Sequence, residues 1–218
     1  MTGVVTAQSP WKRAIERGEQ RAVKRDAVLR AAAQLFNEFG YHATSLEMVA
    51  ERLRVTKPTL YYYVRNKEEI LFECVRLGLE LLREAIAEAA ASGGTTVDKL
   101  KAAMHEYALI VTRDYGMCLI RVGEDPLAPA GRRELRRLKA ELDHEFRALI
   151  EQGIAEGELA PCDPKLAAFT LAGALSWIGR WYDPEGPLDA QAVVEQSTAI
   201  LLRGLLARPH SRHEASAA

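Results

Sequence analysis

The 218 residues suffice for one large or two small folded units, and 48% hydrophobic with 27% charged content excludes an intrinsically disordered chain. The net charge of −1 conceals an asymmetry: residues 1–70 hold 12 Lys/Arg against 8 Asp/Glu, while the remainder holds 17 against 22. A basic front on an acidic body points the front alone at a polyanion.

Cys74, Cys118 and Cys162 are widely spaced and form no CxxC pair, which argues against a disulfide framework or a zinc site and fits a reducing, cytoplasmic setting. The opening MTGVVTAQSPWKR lacks the apolar stretch of a secretory leader. The longest uncharged apolar run, Leu166–Gly179, is too short for a bilayer span, so no membrane partner is expected.

Apolar residues recur at three and four along the chain, with almost no alternating pattern, which predicts an all-α fold. Residues 1–20 read as a flexible basic arm, in which Lys12, Arg13 and Arg17, with Arg21, Lys24 and Arg25 beyond it, either add non-specific DNA affinity or form a solvated leader. From Arg21, the set Val28, Ala31, Leu35 and Phe39 marks a helix that Gly40 closes. Thr44-x-x-Glu47 reads as a capping box opening a short helix with Leu46, Val49, Ala50 and Leu53 on one face. Thr56 is an N-cap with Pro58 in the first turn, where no backbone bond is lost. Asn66-x-x-Glu69 starts a long helix to about Ala90.

Further helices are predicted over about 96–114, 117–122, 131–156, 164–182 and 189–207, separated by Gly- and Pro-rich breaks such as GEDPLAP and YDPEGP. The expected organisation is a three-helix helix-turn-helix head over 21–66, a helical ligand-binding and dimerisation body over 67–207, and a loose tail over 208–218.

The stretch TKPTLYYYVRNK decides what the head does. At about 100° per residue, Leu60 and Val64 share an inward face, so Tyr62 points opposite and Pro58 and Thr59 lie outward. Tyr61 and Tyr63 then flank the two sides. A helix exposing Pro, Thr and an aromatic ring, with Lys57 at its start, suits a major groove. Packing of the tyrosine faces on the next helix is the other reading of this window.

ATSLEMVAERLRVTKPTLYYYVRNKEEIL (43–71), with the preceding LFNEFGYHATS, resembles the DNA-binding signature of the tetracycline-repressor (TetR) family of transcriptional regulators. The resemblance covers about residues 24–72. It implies double-stranded operator DNA as partner, with Thr44 and Ser45 on backbone phosphates, Lys57, Pro58, Thr59 and Tyr62 facing the groove, and Tyr61, Tyr63 and Lys67 on flanking phosphates. The family usually has Gly in the turn where this chain has Arg54, a residue that could meet a phosphate instead.

Helix 164–182 is apolar almost all round, which a helix wet on one face would not be. Ala167, Leu171, Ala174 and Leu175, with Val193, Ser197, Ile200, Leu201 and Gly204 of the last helix, read as a self-complementary homodimer interface. The resemblance agrees, since the family dimerises through its last two long helices.

No nucleophile elbow, phosphate loop, HExxH or dinucleotide fingerprint appears, so no catalytic residue, metal or cofactor is expected. A ligand pocket is expected from Met104, His105, Tyr107, Met117, Cys118, Arg121, Trp177 and Trp181, with ordinary core packing as the alternative for each. Arg132, Arg133, Arg136 and Arg137 form a cationic band that reads as a partly compensated solvated face or a site for an anionic ligand. The ending SWIGRWYDPEGPLDA resembles TetR-family members that respond to acyl-coenzyme A thioesters. The sequence thus predicts a ligand-responsive regulator, a repressor released by a small molecule. A ligand-independent activator or architectural protein, and an all-α enzyme or lipid carrier, are its rivals.

Overall fold

The computed structural model describes residues 10–207, and the side chains of residues 20–207. The tail, with His210 and His213, and the first nine residues lie outside the described residues, as do the side chains of Lys12, Arg13 and Arg17. Among the described residues the fold is all α, with nine helices in the order α1 (Pro10–Phe39), α2 (Leu46–Arg52), α3 (Lys57–Tyr61), α4 (Lys67–Ala91), α5 (Thr96–Val111), α6 (Asp114–Arg121), α7 (Pro129–Ala155), α8 (Pro164–Trp181) and α9 (Ala190–Leu205).

Side-chain caps fix where these helices start. Ser45, Thr56, Asn66, Asp163 and Asp189 each accept a backbone N–H from the first turn, and Thr95 and Asp98 form a reciprocal capping box. Two expectations change. The basic arm is helical from Pro10, so its last residues are the opening turns of α1. The cap of α2 is Ser45, not Thr44: the Thr44 side chain is buried and its hydroxyl donates to the carbonyls of Leu35 (3.2 Å) and Gly40 (2.9 Å).

The head packs α1, α2 and α3 around Leu35, Phe36, Val49, Leu60 and Val64. Phe36, rather than the expected Phe39, is the aromatic ring inside; Phe39 is exposed at the end of α1. Helix α4 belongs to both halves, its Ile70, Leu71 and Cys74 packing with the head and its Leu79, Leu82 and Ile86 with the body. At Gly78 it runs so close to α6 that an added Cβ would lie 2.8 Å from the carbonyl oxygen of Tyr115. Helices α5 to α9 complete the body, with α5 touching each of α6 to α9.

Candidate nucleic-acid interface and ligand cavity

Helix α3 presents its sequence as the helical wheel predicts. Leu60 and Val64 are sealed in the core, whereas Lys57, Pro58, Thr59, Tyr61 and Tyr62 are exposed. Tyr62, 62% exposed, sits at the C-cap, its ring edge-on to Tyr63 and beneath the Arg21 guanidinium at 5.0 Å. Tyr63 is half-buried against the core. Arg21, read from sequence as part of a charged leader, therefore belongs to the same surface as the tyrosines. Lys57 is ion-paired with Glu47 of α2, and that hydrogen bond holds the Glu47 carboxyl down to about 2.

Two of the expected phosphate contacts are occupied by the protein itself. Besides the buried Thr44, Lys67 donates its ammonium to the carbonyls of Tyr41 (2.8 Å) and Thr44 (2.9 Å) and lies 4.3 Å from the Tyr41 ring centroid. It clamps the turn before α2 to the start of α4. Arg54 is exposed, with a positive φ of 54°. Ser45 is half-buried, its side-chain oxygen capping α2.

In the body, α4 to α8 line a half-open cavity of about 400 Å³, with Phe169, Trp177 and Arg180 at its exposed rim. Its walls are Leu79, Leu82 and Ile86 of α4, Leu119 and Ile120 of α6, Leu142 and Phe146 of α7, and Ala168, Phe169, Ala172 and Trp177 of α8. The polar lining is sparse. Tyr107 of α5 and Ser176 of α8 share a hydrogen bond of 2.9 Å, and burial pushes the Tyr107 hydroxyl up, so it remains protonated. Lys139 is held by Glu124 at 2.9 Å, and Asp143 by Arg147. Arg180 donates to the carbonyl of Arg121 at 3.0 Å and makes no ion pair among the described residues. It is the uncompensated charge of the lining.

Of the pocket residues expected from sequence, only Tyr107 and Trp177 line this cavity. Met104, Met117 and Cys118 are buried core residues. His105 is half-buried on α5, its ring facing Gln191 of α9. Trp181 is exposed. Arg121 caps two helices, donating to the carbonyls of Gly179 (2.9 Å), Tyr182 (2.8 Å) and Asn37 (3.3 Å). The aliphatic and Phe146 walls and Arg180 carried no signal distinguishing them from core or surface. Only the three-dimensional gap between α4, α7 and α8 does that.

The expected dimer residues divide. Ala167, Leu171, Leu175 and Val193 are buried in the chain's own core, while Ala174, Ile200 and Gly204 are exposed and Ser197 and Leu201 half-buried. The unpartnered apolar face of α8 is instead Leu166, Phe169, Ala174, Trp177 and Trp181. Between it and α9 lies an apolar groove floored by Leu171 and Leu201.

Head and body are stitched together through α1 and α6. The Tyr115 hydroxyl donates to Asp26 Oδ1 at 2.7 Å, Gln34 donates to Asp114 Oδ2 at 3.1 Å, and Asn37 donates to the Asp114 carbonyl at 3.0 Å. No helix among the described residues is long and apolar enough to cross a membrane.

Comparison with known proteins agrees with this architecture. Residues 28–74 match the bacterial regulatory proteins of the tetR family, and residues 93–205 match the tetracyclin repressor-like C-terminal domain. The transcriptional regulator RutR of Escherichia coli K12 is 31% identical over 204 residues, covering 86% of this chain and 84% of RutR. The transcriptional repressor KstR2 of Rhodococcus jostii RHA1 is 29% identical over 194 residues, covering 86% and 93%. Among solved structures, AibR in complex with isovaleryl coenzyme A and operator DNA superposes with a TM-score of 0.71 at 28% identity, covering 82% of this chain and 97% of AibR. An exposed tyrosine helix on a three-helix head, an all-helical body with a cavity, and family matches over both halves lead to one conclusion: the chain belongs to the TetR family and is a ligand-responsive, DNA-binding transcriptional regulator.

Proposed function

We propose that this regulator acts as a homodimeric repressor whose hold on its operator weakens when an apolar molecule with an anionic end enters the cavity, an acyl-coenzyme A thioester being one such class. The observation that carries the ligand reading is Arg180. An apolar cavity whose other charged residues are paired leaves this guanidinium for an anion. The isovaleryl coenzyme A in the AibR structure supports the thioester class.

On the DNA side, Pro58, Thr59 and Tyr62 would meet base edges and Lys57, Arg54, Ser45, Tyr61 and Tyr63 phosphates, with Lys57 exchanging Glu47 for the duplex. The dimer would form on the exposed faces of α8 and α9. Because Phe169, Trp177 and Arg180 of the cavity lie on α8, a ligand there touches the helix that holds the partner. It also touches α4 and α6, which run to the head. Each tenfold preference of ligand for the released arrangement contributes about 1.4 kcal/mol to release, and DNA weakens ligand binding equally.

The test compares decanoate with decanol on wild type and Arg180→Gln. The expected result is that the variant binds decanoate about tenfold more weakly while decanol binding is unchanged, in keeping with about 1.5 kcal/mol for a charged hydrogen bond. Equal decanoate affinity in both proteins would remove the anion from this reading.

A further inference from the structure

We infer that the cavity selects ligands carrying an oxygen acceptor on their apolar part, a keto or hydroxy group, and that the Tyr107–Ser176 hydroxyl pair is the selecting element. This deepens, and rests on, the reading of the cavity as a site for an apolar anion.

The argument is a count of protons. Two hydroxyls carry two protons, and one of these makes the 2.9 Å bond between Tyr107 and Ser176. Neither oxygen has another partner among the described residues, so the second proton has no protein acceptor. Both side chains line the cavity, Tyr107 buried and Ser176 half-buried, and apart from Lys139, Asp143 and Arg180 the rest of the lining is apolar. A plain alkyl chain filling this space would leave that proton buried without a partner, which is costly, whereas a carbonyl or hydroxyl oxygen would accept it.

The spacing defines the ligand further. Ser176 and Arg180 lie one turn apart on α8, about 6 Å along the helix axis. A molecule with its anionic group at Arg180 would carry its acceptor several bonds along the chain, as in a medium-length oxo acid or its thioester. The sequence order Ser-Trp-Ile-Gly-Arg thus places hydroxyl and guanidinium on one helix, to be read by opposite ends of the same ligand.

Calorimetric titration of the full chain with decanoate and with 3-, 5- and 7-oxodecanoate tests this. The expected result is that at least one oxo acid binds about tenfold more tightly than decanoate. In the double variant Tyr107→Phe/Ser176→Ala that preference should vanish, because decanoate no longer leaves a proton without a partner and an oxo acid no longer gains one. A pair that only tied α5 to α8 would instead shift all four affinities alike and leave their ratios as in wild type, and that outcome overturns the inference. So does decanoate binding with no oxo preference in wild type, although the anionic cavity then stands. If none of the four acids binds, the inference and the reading beneath it fall together. Should the double variant not fold, the keto stretch of the tightest-bound oxo acid in wild type decides by infrared spectroscopy: a band at the position of a ketone without a hydrogen bond overturns the inference.

Discussion

Arg54 holds a backbone conformation that glycine would adopt more easily. Its N–H bonds to the Glu51 carbonyl and that of Val55 to the Ala50 carbonyl, both at 2.9 Å, a Schellman closure of α2 that needs a left-handed residue at this position. The turn thus needs a left-handed residue where the resemblance leads one to expect Gly, and carries a charged side chain there. Arg54→Gly should raise thermal stability by about 0.5–1 kcal/mol, because the Cβ penalty disappears. If Arg54 holds a phosphate as proposed, operator affinity should fall in the same variant. A melting curve and a binding isotherm on one preparation check both, and lowered stability would contradict the assignment of strain.

Among the elements, α6 links cavity to head: Leu119 and Ile120 line the cavity, and Tyr115, about one turn before Leu119, grips Asp26 of α1. Burial pushes the Tyr115 hydroxyl's pKa well up, so it stays a donor. Tyr115→Phe should leave ligand affinity and operator affinity each within about threefold of wild type, while cutting the effect of one on the other about fivefold, of the order of 1 kcal/mol of coupling. Unchanged coupling would exclude this link. The loop between α6 and α7 carries a second testable contact. Burial alone would raise Glu124, but hydrogen bonds from Lys139 and Arg136 outweigh it and hold its carboxyl below the ordinary range. A depressed folded-state value contributes stability that is complete above the unfolded value of about 4.3 and is lost as pH falls through the folded one. Glu124→Gln should therefore melt below wild type at pH 7, with the gap closing under about pH 4. A gap independent of pH would assign the effect to packing.

The starts of α3 and α4 at the caps Thr56 and Asn66, and the inward pair Leu60–Val64, were legible in the sequence because each rests on contacts within a few residues. Faces set by packing of distant helices were not. In α8 every side is apolar, so periodicity could not tell that Leu171 and Leu175 turn inward while Ala174 and Trp177 turn out. Lys67 and Arg121 look like free cations in the sequence, yet both hold backbone carbonyls of distant turns. Thr44 illustrates the same limit over only nine residues, its hydroxyl taken by the end of α1.

At the scale of the whole molecule, a basic head and an acidic body share α4 and are tied by hydrogen bonds between α1 and α6, and α4 and α6 also line the cavity. A symmetric dimer built on α8 and α9 would place two Tyr62 rings on one duplex, about one helical turn or a multiple of it apart. The most direct measurement is selection of bound duplexes from a random pool by wild type and by Tyr62→Ala, with affinities for the selected site read across salt concentrations. The account predicts that wild type enriches a two-fold symmetric site with strongly salt-dependent affinity, and that Tyr62→Ala binds this site at least tenfold more weakly without loss of folding. Enrichment of no sequence, of an unsymmetric single half-site, or of the same site with equal affinity by the variant would contradict it.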